Sequence, residues 1–228
     1  ERDTYFTGTA YGHVDLDRMM RVCRIKENKI VFKESGIGAI ENYLIGRYHM
    51  YFQVYYHPVS RAYEVVLEKI YHRIKDLILE KYDFKSNIGP LKKVIENPDD
   101  LENYLLIDDY YVNGLIASFI HSEDEILRNL SNDFLNRHIW AYMDDQKENN
   151  KEINDIESTF NKVERNYYTT RKSVSNLTYV DGGKNFGDKI YILMPDQSLK
   201  TLKDASPIIK SLIESGKRSV PKFFYRKS

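Results

Sequence analysis

Residues 37–82 read IGAIENYLIGRYHMYFQVYYHPVSRAYEVVLEKIYHRIKDLILEKY, and this stretch decides most of the fold. Ile40, Tyr43, Leu44, Met50 and Val54, then Val65, Val66, Ile70, Ile74, Leu77 and Ile78, recur at the spacing of an amphipathic helix. Gly36 and Gly38 open the run. Pro58 lacks an N–H and its ring crowds the preceding turn, so a kink or break is predicted near Tyr56–His57.

Upstream of it, Asp15 to Val22 predicts a short helix with Asp15 as N-cap and Leu16, Met19 and Met20 on one face. Ile30-Val31-Phe32 is β-branched and aromatic, a predicted strand. Downstream, short helices are predicted over Leu91–Glu96, from Pro98-Asp99-Asp100 to about Ile107, and from Asp108-Asp109 through Ile120. Two more follow over Glu123–Asn129 and Asn132–Met143. Residues 144–165 are polar and charged, a linker or a solvated helix. Beyond Asn166 the pattern changes. Tyr167–Thr170, Leu177–Val180, Lys189–Leu193 and Phe223–Tyr225 read as strands, Gly182-Gly183 as a turn, and Ser206-Pro207 as the start of a helix to Glu214. The expected fold class is mainly α followed by a small α+β module, divided as 1–143, 144–165 and 166–228.

Composition excludes several function classes. Lys+Arg and Asp+Glu are equal at 34 each among 228 residues, so no global field draws nucleic acid or an anionic membrane. The one cysteine, Cys23, rules out a disulfide within the chain and suits a reducing, cytoplasmic setting. No apolar run approaches the roughly 20 residues that cross a bilayer. The opening Glu1–Phe6 has no initiator methionine and reads as the tail of a helix already under way, so a fragment is expected. The 19 tyrosines suit half-buried helix faces and interfaces as well as stacking on bases or sugars.

Self-contained catalytic motifs are missing: there is no P-loop, GxGxxG, CxxC or nucleophile elbow. His13, His49, His57, His72, His121 and His138 are scattered, without an HxxxH pair beside a carboxylate. From these residues alone the chain is a helical protein with a small α+β tail.

Several ordered motifs carry more. ERD-x4-G (Glu1–Gly8), VDLDR (Val14–Arg18) and R-x3-Y-x-Q-x-Y-x-H-x-V (Arg47–Val59) resemble the HD-domain deoxynucleoside triphosphate triphosphohydrolases, a family that includes the vertebrate SAM-and-HD-domain dNTPase. IDDYY (Ile107–Tyr111) and LNRHIW (Leu135–Trp140) extend the resemblance, and ILMPDQSLK with the SPIIK helix is similar to the bacterial branch. The resemblance implies the C-terminal part of an HD-domain helical fold. It also implies a parent enzyme that hydrolyses dNTPs to deoxynucleoside and triphosphate with a divalent metal (Mg, Mn or similar), the metal lowering the pKa of a bound water. By that resemblance the last metal ligand lies about two helical turns before Asp3. No metal ligand is carried over, so no catalytic residue is assigned here, and the fragment by itself is expected to be inactive and metal-free.

What the resemblance carries over is a substrate wall. Asp3 matches the carboxylate that holds the sugar 3′-OH, Arg47 an arginine on the triphosphate, and Tyr55 the tyrosine packed against the deoxyribose. Without it, Asp3 reads as a helix-end carboxylate, Arg47 as a surface arginine and Tyr55 as core. A second set, Asp15, Arg18, Lys33, His57 and Arg137, matches nucleotide-activator contacts between subunits. It implies a homo-oligomer (tetramer or dimer), a dGTP or GTP activator, an N-terminal HD portion as partner, and no membrane. Pro58 and Ala39 depart from the vertebrate pattern, where a lysine and an asparagine stand. The competing reading is a non-catalytic interaction or single-strand nucleic-acid-binding module, resting on the aromatic run Arg47–Tyr56 and the basic end Lys217, Arg218, Lys222, Arg226 and Lys227.

Overall fold

The computed structural model describes residues 2–176, 189–214 and 218–227. In chain order the first elements are α1 (Arg2–Thr7), α2 (Leu16–Val22), β1 (Cys23–Lys26), β2 (Lys29–Lys33) and α3 (Ile37–Met50). A π-helical turn, Tyr51–Tyr55, leads to the 22-residue α4 (Pro58–Leu79). Then come α5 (Gly89–Glu96), α6 (Leu101–Tyr104), α7 (Asp109–Phe119), α8 (Glu125–Leu135), β3 (Ala141–Asp144), α9 (Asn150–Ser158) and α10 (Lys162–Tyr168). The last elements are β4 (Thr169–Asn176), β5 (Tyr191–Leu193), β6 (Leu199–Thr201), α11 (Leu202–Ala205), α12 (Pro207–Glu214) and β7 (Arg218–Tyr225). The architecture is mainly α with a small α+β part, as the sequence predicts.

Local chemistry sets many of the boundaries. Asp15, Asp100, Asp108 and Asp124 each accept a backbone N–H at the start of α2, α6, α7 and α8, contacts worth about 1 kcal/mol apiece. Asn161 and Glu164 close a reciprocal capping box on α10. Pro58 and Pro207 open α4 and α12, where the missing N–H costs nothing. The β1–β2 turn places Glu27 and Asn28 at φ 51° and 57°, the left-handed pair that a two-residue hairpin requires.

The chain folds as two compact units. One comprises Glu1–His57 and Val174–Val220, the other Pro58–Ser173 and Pro221–Ser228. Both are therefore discontinuous and cut across the sequence-based division at 143 and 165. The first unit holds a four-stranded sheet in the order β1-β2-β5-β6, with β2 and β5 parallel and the outer pairs antiparallel. Ile40 and Leu44 of α3 pack there with Ile192, Leu202 and Ile209. In the second unit α4 is the central helix, and Ala62, Val65, Val66, Ile70, Ile74 and Leu77 join a core with Leu115, Ile116, Leu127, Leu130, Trp140 and Phe224. Its three-stranded sheet runs β3-β7-β4.

Three local expectations need correction. The predicted helices over 123–129 and 132–143 are one helix, α8, ending at Leu135, and Arg137 (φ 56°) reverses the chain behind it. Residues 141–144 are instead strand β3, because Tyr142 and Met143 find partners in Phe224 and Phe223 of β7. Tyr167 and Tyr168 end a helix rather than begin a strand, the capping box at Asn161 having started that helix; β4 begins at Thr169. The polar stretch 144–165 carries α9, anchored by the fully buried Ile153, and most of α10. The Leu177–Val180 strand and the Gly182-Gly183 turn lie outside the described residues.

Candidate functional site

The row of residues that ends α3 builds the site. Arg47, Tyr51 and Tyr55 follow at intervals of four, which puts them along one helix face. Pro58 has no N–H to offer the Val54 carbonyl, and at this point the helix widens: the Tyr56 N–H donates to the Tyr51 carbonyl, five residues back, at 2.7 Å. The His57 N–H reaches the Val54 carbonyl at 3.4 Å. Expansions of this kind inside α-helices concentrate at functional sites.

The other wall arrives from α1. Gly8 (φ 68°) ends that helix, and its N–H donates to the Thr4 carbonyl. The chain then folds back over the end of α3. Thr4 Oγ1 donates to the Tyr11 carbonyl at 2.8 Å, Thr9 Oγ1 lies 3.3 Å from Met50 Sδ, and the Tyr11 ring stacks on His49 at 4.3 Å. Gly12 (φ 98°) is required in this clasp, since a Cβ there would stand 2.5 Å from Thr4 Oγ1 and 3.2 Å from Met50.

So fastened, α1 brings Asp3 to Tyr55, whose hydroxyl donates to Asp3 Oδ2. The Arg2 guanidinium donates to Oδ1 at 3.1 Å. The Tyr55 bond, followed by Arg2, holds the Asp3 carboxyl below the usual carboxylate range, and the same bond to Asp3 raises the Tyr55 hydroxyl above its own. The row continues through rings: Tyr55 meets Tyr51 edge-on at 5.2 Å, and the Arg47 guanidinium lies over Tyr51 at 5.2 Å, with Nη2 3.4 Å from its hydroxyl. Burial works against the Arg47 charge, but Tyr43 and Tyr51 more than offset it. Its Nε is buried with no hydrogen-bond partner among the described residues.

The structure thus brings Asp3, Tyr55 and Arg47 into one line and adds Tyr51 and Tyr43, which the sequence reading missed. The four-residue spacing of Arg47, Tyr51 and Tyr55 was the available signal. The cation and the carboxylate stand at opposite ends, and Asp3 forms its ion pair with Arg2. Such an arrangement can grip an anionic group at one end and a hydroxyl at the other, with aromatic faces between.

The second predicted set is only partly assembled. Asp15 accepts the Arg18 N–H at 2.9 Å, and the Arg18 guanidinium donates to the Ser35 carbonyl at 2.9 Å, close in sequence to the exposed Lys33. His57 closes the π-helical segment. Arg137 belongs to the other compact unit, where it makes the turn after α8. In the basic end, Lys222 pairs with Asp144 and Arg226 with Asp133, so two of its cations are neutralised internally. Lys217 and the Arg218 side chain lie outside the described residues. Among the described residues no group of three His, Cys, Asp or Glu is placed to hold a metal, and no helix is long and apolar enough to cross a membrane.

Residues 14–86 match the family described as the HD associated region. The uncharacterised protein YwfO of Bacillus subtilis is 36% identical over 234 residues, spanning 100% of this chain and 54% of YwfO. The uncharacterised protein MG461 of Mycoplasma genitalium is 27% identical over 92% of this chain and 52% of its own length. The chain therefore spans about half the length of the curated relatives it matches. A crystal structure of a phosphohydrolase from Bacteroides thetaiotaomicron superposes with a TM-score of 0.81 at 24% identity, over 100% of this chain and 59% of that one. A hypothetical protein from Aquifex aeolicus matches with a TM-score of 0.64 at 27% identity, over 99% of this chain and 52% of that one.

Proposed function

We propose, from the premise that this chain is related to HD-domain proteins, that it is part of a phosphohydrolase cleaving dNTPs to deoxynucleoside and triphosphate. In this reading Asp3, Tyr55, Tyr51 and Arg47 form the wall that holds the substrate. One observation carries the proposal: two tyrosines hold the cation and the carboxylate apart in one row, with a guanidinium Nε left unpartnered. An arginine and an aspartate brought to one row only to hold the fold together would gain more by pairing directly.

Each residue then has a definite task. Arg47 offers a planar fork of donors to the triphosphate, and Tyr51 supports the guanidinium from below. Tyr55 keeps Asp3 ionised and oriented, and Asp3 accepts the hydrogen bond of the sugar 3′-OH. The Tyr55 ring packs on the deoxyribose face, where a 2′-OH would collide. A divalent metal (Mg or Mn) would supply an activated water and neutralise charge at the α-phosphate. The described residues do not fit such an ion, so no step is assigned to it in this chain. Asp15, Arg18, Lys33, His57 and Arg137 are the proposed contacts for a dGTP or GTP activator in a dimer or tetramer.

The test is made in the full-length protein with Mn²⁺ and dGTP. Arg47→Ala is expected to lower triphosphate release about 100-fold or more, the scale of losing a charge-assisted phosphate contact in the transition state. Metal content and thermal midpoint stay unchanged. Full activity in that variant refutes the phosphate role. The present chain assayed alone is expected to release no triphosphate.

A further inference from the structure

Two surfaces, one in each compact unit, combine exposed apolar side chains with unmatched charge, and their charges are opposite. The first is the β1–β2 hairpin. Ile25 and Ile30 sit opposite each other in its register and are 81% and 65% exposed. Between residues 21 and 30 the chain carries Arg21, Arg24, Lys26 and Lys29 against a single carboxylate, Glu27. Their contacts are with neutral groups: Arg24 donates to the Arg21 and Cys23 carbonyls, Lys26 to the Gln197 carbonyl, and Lys29 lies over the Tyr191 ring. β1 is also the edge of its sheet.

The second surface is the α6 region. Leu101, Tyr104, Leu105 and Tyr110 are exposed, Leu105 at 71% and Tyr110 at 88%. No lysine or arginine occurs from residue 94 to 127, while Glu96, Asp99, Asp100, Glu102, Asp108 and Asp109 all fall within 96–109. Glu96 pairs with Lys92 at 3.9 Å, Asp100 and Asp108 accept from neutral N–H donors, and Asp99, Glu102 and Asp109 have no ion-pair partner among the described residues. A row of leucines and tyrosines this exposed is costly in water unless something covers it.

We infer that the α6 surface of one copy docks on the β1–β2 hairpin of a second copy. Like-on-like packing of either surface would bring four cations, or several carboxylates, against their own kind. The crossed arrangement buries isoleucine against leucine and tyrosine at the centre and matches opposite charges at the rim, the usual anatomy of a specific interface. Asp15, Arg18 and Lys33 take no part in it, and it does not depend on the reading of the Asp3–Arg47 row.

The experiment uses the full-length protein and sedimentation equilibrium at low and high salt. Reversing the hairpin (Arg24→Glu with Lys29→Glu), or reversing the α6 surface (Glu102→Lys with Asp109→Lys), is expected to weaken self-association about tenfold or more. The wild-type association weakens with salt as well. Combining both reversals in one chain restores complementarity, and association returns to within about threefold of wild type. Three results overturn the inference: association untouched by either reversal, weakening by only one of them, or no recovery in the combined variant while its thermal midpoint matches wild type. Should either single reversal reduce the thermal midpoint instead, recovery of association in the combined variant still supports the contact, and its absence overturns it.

Discussion

The two units treat their buried or half-buried arginines in opposite ways; the exposed Arg2–Asp3 pair of the first unit stands apart from the comparison. In the second unit arginines and aspartates meet directly. Arg226 grips Asp133 through Nε and Nη2 at 2.7 and 3.2 Å, and Trp140 Nε1 donates to the same carboxylate at 3.1 Å. Arg73 binds Asp124 through Nε and Nη2 at 3.1 and 2.6 Å, with Tyr167 against it. In the first unit Arg47 and Asp3 are held apart by Tyr51 and Tyr55, and the guanidinium keeps a donor unpartnered. A fork that closes on a carboxylate is saturated and serves the fold; a fork kept from its carboxylate remains available to a ligand. The difference separates scaffold from site more sharply than burial does.

The contrast can be broken most easily at Asp133. Asp133→Ala strips the buried acceptor from both Trp140 and Arg226 and is expected to cost about 3 kcal/mol in urea unfolding, the lower end for a broken buried pair because Arg226 can still reach water. A cost under about 1 kcal/mol would mean that this network is not the scaffold described.

Acid comes next. Burial acts to raise the Asp124 carboxyl, but Arg73 and the Leu127 N–H outweigh it and hold it below its ordinary 3.8. A carboxyl depressed in the folded state contributes stability that is present above the unfolded value and lost as pH falls through the folded one. The urea midpoint should therefore fall below about pH 4, and Asp124→Asn should lose part of that acid dependence. An unchanged acid slope in the variant would count against the Arg73 pairing.

At Arg47 the contrast predicts a mismatch between activity and stability. Arg47→Ala, expected to suppress activity strongly, should shift stability by no more than about 1 kcal/mol, since it breaks no carboxylate pair. A loss as large as that of Asp133→Ala would make Arg47 a scaffold residue. The smallest effect is at Tyr55. Removing its hydroxyl with Tyr55→Phe should let the Asp3 carboxyl rise toward 3.8, read by carboxyl-carbon NMR titration. No movement would show that the bond does not hold the charge.

Much of the helical frame was legible in sequence because its signals are local. Asp15, Asp108 and Pro207 cap or open helices within a few residues of where they stand, and Pro58 interrupts the long run where the chain itself must break. β1 and β3 were not legible. Each is four residues long with no strong alternation, and β3 exists because β7 pairs with it from Lys222 to Tyr225, far along the chain. In the site, the Arg47–Tyr51–Tyr55 spacing could be read, whereas the role of Asp3 could not be read from its own neighbourhood. Its partner Tyr55 is 52 residues away and arrives through the clasp of Thr4, Tyr11 and Gly12 on the end of α3.

The sequence by itself therefore determined the helices, their caps and the break at Pro58, since these follow from hydrogen bonds and sterics within one or two turns. Long-range packing settles that residues 191–201 complete the sheet begun by residues 23–33, and that each of the two units is built from two separate segments of the chain. It also decides that Arg73 and Arg226 close on carboxylates while Arg47 lies against tyrosines. Strand pairing and charge pairing both depend on groups far apart along the chain, whose meeting is fixed by the packing of the cores between them.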